Sequence, residues 1–147
     1  MNQKSIAEIL NDLLQILKQG KEGFRMAAEA AKDPEFKALL WQCAAERAEM
    51  AGELLRHMRP EWWERKGAAK GASQNGFNLN TALTSGDDFT ILAECERGEN
   101  RAIAMFKKAL EQDLPSDLCR KIKSYSLRIL ETHEKIKELR DTAQPIL

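Results

Sequence analysis

Apolar residues recur at intervals of three and four along most of this chain, the spacing of one face of an α-helix. From Phe89 to Leu110 the stripe falls at positions 89, 92, 96, 99, 103, 106 and 110, and two of its seven inward places are Glu96 and Glu99. A carboxylate in a helix seam is costly unless something pairs with it. The same spacing predicts a first helix over about 3–31, with Ile6, Leu10, Leu13, Leu17, Gly20, Phe24, Ala27 and Ala31 inward. It predicts a second over 34–58, with Phe36, Leu40, Cys43, Arg47, Met50, Leu54 and Met58 on one face. A third covers 87–112. A fourth covers 116–141 with Leu118, Ile122, Tyr125, Ile129, Thr132 or His133, and Ile136 inward.

The breaks are written in capping chemistry. Ser5 with Glu8 three residues on has the form of a capping box. Asp33-Pro34 and Gly86-Asp87-Asp88 each offer a cap followed by a favoured first turn, and Leu114-Pro115-Ser116 separates the last two helices. Residues 59–86 lack sustained periodicity and carry Pro60, Gly67, Gly71 and Gly76, with a short helix predicted at 77–83. A connector of that length can travel the height of a helix and leave the second and third helices parallel. That is the arrangement of ferritin-like bundles, which contain one long crossover. The expected fold is an all-α, single-domain, ferritin-like four-helix bundle.

Counting turns from the breaks brings Arg47, Glu96, Glu99 and His133 to one height, with Gly20 beside them. Gly20 has two readings: a bend or close helix contact, or space vacated for long polar side chains from other helices. Three chemistries suit the layer. One is a structural network in which Arg47 neutralises Glu96 and Glu99 and His133 completes the hydrogen bonding. The second is a centre for iron or manganese held by Glu46, Glu96, Glu99 and His133. The chain contains no Glu-x-x-His, the usual signature of such centres. Acid–base catalysis by a buried Glu or by His133 is the third, and no catalytic residue is assigned, because nothing defines a substrate pocket.

Composition narrows the setting. The 23 basic and 23 acidic residues cancel, against a dedicated nucleic-acid or polybasic membrane surface. No stretch is long and apolar enough to span a bilayer, and the start MNQKSIAEIL lacks the apolar core of a signal peptide. Cytoplasmic residence is the expectation. Cys43, Cys95 and Cys119 are scattered and suggest neither a disulfide frame nor a zinc site. Trp41, Ala45, Ala48 and Leu55 form a second apolar strip on the second helix. Either the connector covers it or another chain does. A homodimer is the expectation, and an adaptor for partner proteins is an alternative, to which Trp62-Trp63 would contribute.

The segments GKEGFR (20–25), AAERAEM (44–50), GDD (86–88), ECERGEN (94–100) and His133 ahead of KELRD (137–141) resemble a bacterial family of ferritin-like four-helix-bundle proteins of unknown function. The resemblance spans nearly the whole chain, with ECERGEN its most specific part. It implies a bundle with a long crossover, makes Glu46, Arg47, Glu96, Arg97, Gly98, Glu99 and His133 its motif positions, and brings no assigned activity. A non-enzymatic protein with a structural or stress-related role is the leading expectation. A carboxylate/His-bound di-metal protein with oxidase or metal-handling activity is the rival.

Overall fold

The computed structural model describes residues 5–59 and 87–142, and among these described residues there are four helices and no strand. They are α1 (Ile6–Ala30), α2 (Pro34–His57), α3 (Asp88–Leu110) and α4 (Ser116–Thr142). Each of the first three begins on a side chain that accepts backbone N–H groups left over in its first turn. Ser5 and Glu8 exchange bonds of 3.1 and 3.0 Å in a full capping box. Asp33 accepts from Glu35 and Phe36, with Pro34 behind it in the first turn. Asp87 accepts from Phe89 at 3.0 Å. The proposed connector 59–86, with its short helix at 77–83 and Trp62-Trp63, lies outside the described residues except for Arg59.

Packing is most extensive between α1 and α2 and between α3 and α4, and α1–α3 and α2–α4 contacts close the ring. Chain direction follows from three polar contacts. The Asp88 carboxylate accepts the backbone N–H groups of Lys32 and Asp33, both at 2.9 Å, so α3 starts against the α1–α2 turn. Tyr125 donates to Glu53 at 2.5 Å and Arg128 to Glu49 at 3.2 Å, which sets α4 antiparallel to α2. Since α4 also returns antiparallel along α3, α2 and α3 run in the same direction across a diagonal.

The core consists of two apolar clusters. One joins Leu10, Leu13 and Leu17 of α1 to Met50 and Leu54 of α2, Phe106 of α3, and Ile122 and Ile129 of α4. The other joins Phe24, Ala27, Leu40, Cys43, Ile91, Leu92, Cys95 and Ile136 towards the opposite end. The inward face of α2 is the one its large residues define. On α3 the seam is turned by about one position from the sequence reading. Ile91, Leu92, Cys95, Gly98, Glu99, Ala102, Phe106 and Ala109 are buried, whereas Phe89, Glu96, Ile103 and Leu110 are only partly so. The physical reason is size. The small residues Cys95, Gly98, Ala102 and Ala109 fill much of the buried face, and Phe89, Ile103 and Leu110 lie along its flank.

Candidate functional site

Between the two clusters lies a charged layer. Arg47 projects from the middle of α2 and is 2% exposed, and Glu99, opposite it on α3, is 0% exposed. One guanidinium nitrogen, Nη2, donates to Glu99 Oε2. The guanidinium also stacks on Phe24 of α1, with Cζ 5.1 Å from the ring centroid, a cation–π contact in a desolvated setting. The arginine does not snorkel to the surface. Its room comes from Gly20: a Cβ there would lie 2.9 Å from Arg47 Nη1 and 3.5 Å from its Cγ. Of the two readings of Gly20, the vacated space is the one realised.

Glu96 and His133 occupy the rim of the same layer, 13% and 14% exposed, with His133 Nε2 3.7 Å from Glu96 Oε2. Thr132 rather than His133 takes the fully inward place on α4 and returns its hydroxyl to the Arg128 carbonyl at 3.1 Å. The cation bonded to Glu96 is Arg140, near the end of α4. On the sequence alone Arg47 faces both carboxylates and Arg140 has no partner assigned. Here the charges divide into two pairs, Arg47 with Glu99 and Arg140 with Glu96. The spacing places Phe24 in the core, and no sequence signal distinguishes an aromatic that packs from one that also receives a cation.

Two buried atoms of the layer make no hydrogen bond among the described residues: Glu99 Oε1 and His133 Nε2. Burial holds the Glu99 carboxyl above its ordinary range, and the neighbouring Arg47 and His133 pull the other way without cancelling it. Burial also pushes the Cys43 thiol up to about 12, with the Glu99 charge adding to the effect. Cys95 is raised well above the usual thiol value by burial first and by Cys43 next. Both cysteines are packing groups in this state, because the thiolate that would react or bind metal is disfavoured.

Glu46 stands on the partly exposed flank of α2, where Gln42 donates to it at 3.4 Å. Among the described residues no three His, Cys, Asp or Glu side chains form a group that could hold a metal ion. Glu46, Glu96, Glu99 and His133 therefore do not gather as a ligand set in this arrangement. Glu22 and Glu49, the other carboxylates near this height, engage Arg25 and Arg128 at the surface. On the outer face of α2, Trp41 and Leu55 are 43% and 44% exposed, and Ala45 and Ala48 between them are exposed as well. No helix among the described residues is long and apolar enough to cross a membrane.

Residues 5–112 match the family described as a domain of unknown function, DUF2383. The match covers α1, α2, α3 and the segment between them, and the chain belongs to that family. No curated protein matches the chain.

Proposed function

We propose that this chain is a ferritin-like bundle protein, with a crossover running the height of the bundle between α2 and α3, that is non-enzymatic and has a structural or stress-related role. In this reading the buried layer fixes the register of the helices. A single observation carries it: Arg47 and Glu99, both sealed from solvent, neutralise each other, and Arg140 does the same for Glu96 at the rim. Such pairs add little net stability, because desolvation offsets the attraction. A helix that slipped by one turn would strand a charge in an apolar cluster, and that is strongly unfavourable. Elemental analysis of protein purified without chelator, with thermal melts with and without chelator, tests the reading. The expected result is substoichiometric iron and manganese and an unchanged melting temperature.

The rival is a carboxylate/His-bound di-metal protein built on Glu46, Glu96, Glu99 and His133. What favours it is the unbonded pair of buried atoms, Glu99 Oε1 and His133 Nε2, with Glu96 Oε2 nearby. It requires Glu46 to join them and the arginines to give way. Stoichiometric metal, with a melting temperature that drops on chelation, would establish it in place of the structural reading.

The strip Trp41, Ala45, Ala48 and Leu55 supports a homodimer joined through α2. A wild type that sediments as a dimer and a Trp41→Glu variant that sediments as a monomer are the expected results. A monomeric wild type would favour coverage by the chain's own connector or an adaptor role.

A further inference from the structure

The solvent face of α4 carries an ordered pattern that the bundle itself does not use. At about 3.6 residues per turn, Arg120, Lys123, Leu127, Leu130, Glu134 and Glu138 fall on the side turned away from the core. All are exposed, Leu127 at 56% and Leu130 at 40%. The two leucines are three residues apart and lie side by side. Towards the start of the helix the face is basic, with Lys123 four residues before Leu127 and Arg120 beyond it. Towards the end it is acidic, with Glu134 four residues after Leu130 and Glu138 beyond it. Lys121 and Arg128, on the flank, are engaged with Glu53 and Glu49 of α2. Arg120, Lys123 and Glu138 enter no ion pair among the described residues, and Glu134, 68% exposed, lies 3.5 Å from His133 Nδ1.

We propose that this face docks a second copy of the chain, the two α4 helices running antiparallel about a two-fold axis midway between Leu127 and Leu130. That axis sets Leu127 against Leu130 of the partner subunit and Lys123 against Glu134 of the partner subunit, each contact occurring twice. Arg120 meets Glu138 of the partner subunit on one flank, and Lys137 is turned to the other. The face is its own electrostatic complement, a property that an unrelated partner would not require. A parallel pairing would bring Lys123 against Lys123 of the partner subunit, and that repulsion disfavours it. Antiparallel helices also oppose their dipoles favourably. The surface shares no residue with the Trp41 strip on α2. Its apolar area is small, so this association is the weaker of the two and appears at higher concentration.

Sedimentation equilibrium of the full chain carrying Trp41→Glu tests the α4 surface whether or not the α2 strip is an interface. This protein, monomeric at micromolar concentration, should dimerise as it approaches millimolar, and less so as added salt screens the ion pairs. Adding Lys123→Glu should raise the dissociation constant by about tenfold or more, because two repulsive contacts replace two attractive ones. Adding Glu134→Lys to that protein should restore dimerisation, since the exchanged charges face each other again. Recovery by charge exchange is a result that lost folding or solubility does not produce. Circular dichroism should show the helices intact in every variant, because the changed positions are exposed. A Trp41→Glu protein that stays monomeric at millimolar concentration overturns the α4 surface and leaves the α2 dimer standing. Association that Lys123→Glu does not weaken, or that the charge exchange does not recover, overturns it as well.

Discussion

Gly20 and Arg47 are complementary: the hydrogen at one Cα makes room for the guanidinium of the other, whose Nη1 lies 2.9 Å from where a β-carbon would stand. Alanine is favoured over glycine inside a helix by about 1 kcal/mol, so Gly20→Ala would ordinarily stabilise. Here the methyl must displace an arginine held by Glu99 and by the Phe24 ring. Charge-assisted bonds contribute about 1.5–3 kcal/mol, so weakening this one should outweigh the helical gain. Gly20→Ala is expected to destabilise the wild type by about 1 kcal/mol on that balance. It should stabilise an Arg47→Met, Glu99→Gln background. Urea unfolding of the four proteins gives the comparison, and an equal effect in both backgrounds would contradict it.

Removing the arginine alone should be far more damaging. Arg47→Met leaves Glu99 buried with no counter-charge, a change that costs about 3–5 kcal/mol. Adding Glu99→Gln should recover much of that loss. Adding Glu96→Gln should recover none, because Glu96 is bonded to Arg140. Rescue by the Glu96 variant would show that the charges divide differently in solution.

The Glu99 carboxyl should carry a distinctive pH dependence. Burial raises its pKa in the folded state above the ordinary value of 4.5. The folded protein therefore binds this proton more tightly than the unfolded chain. Through this group, stability rises as pH falls across the window from the raised value to the ordinary one, and the penalty is fully present above it. Glu53 behaves oppositely: the Tyr125 hydroxyl holds it below the ordinary value, and its contribution is lost as pH falls through that lowered value. Carbon-13 titration of the side-chain carboxyls should find Glu99 protonating at higher pH than Glu53, and the reverse order would refute the assignment.

The three thiols should separate by access and ionisation. Cys43 and Cys95 are buried, with raised pKa values, whereas Cys119 is partly exposed. A thiol-specific disulfide reagent at neutral pH should label Cys119 alone in the folded protein and all three after denaturation. Rapid labelling of Cys43 or Cys95 would mean that the end of the bundle holding them opens readily.

Asp88 ties α3 to the turn between α1 and α2 by accepting two backbone N–H groups. Asp88→Ala loses both bonds and should cost about 1–2 kcal/mol, the net value of two exposed hydrogen bonds. Asp88→Asn keeps one acceptor oxygen and should fall between Ala and the wild type in a chemical melt. A neutral Ala variant would show that packing alone holds this junction.

Legibility in the sequence followed side-chain size. The α2 seam stands out because Phe36, Leu40, Met50 and Leu54 are large, and Arg47 is conspicuous among them. The α3 seam is hidden because Cys95, Gly98, Ala102 and Ala109 fill it, and their small apolar surface hardly registers in a hydrophobic pattern. Ile103 and Leu110 drew the predicted stripe one position round, and that brought Glu96 inward with them. Glu99 lies inward on both readings. Arg140 escaped notice because a basic residue near a helix C-terminus already has a sufficient local explanation. Long-range partnerships such as Arg140 with Glu96 are set by crossing geometry, which a one-dimensional pattern does not encode.

The charged layer also partitions the interior. Leu13 and Leu17 lie with one cluster and Leu40 and Ile91 with the other, and between them stand groups whose positions are fixed by ion pairing rather than by contact area. A void opened on one side is therefore walled off from the other, since collapse across the layer would break Arg47 from Glu99. Truncations such as Leu13→Ala and Leu40→Ala should then behave as independent events with additive losses, while two truncations within one chamber interact. The protein is in effect two small oil drops sharing one set of helices, each free to be repacked without consulting the other.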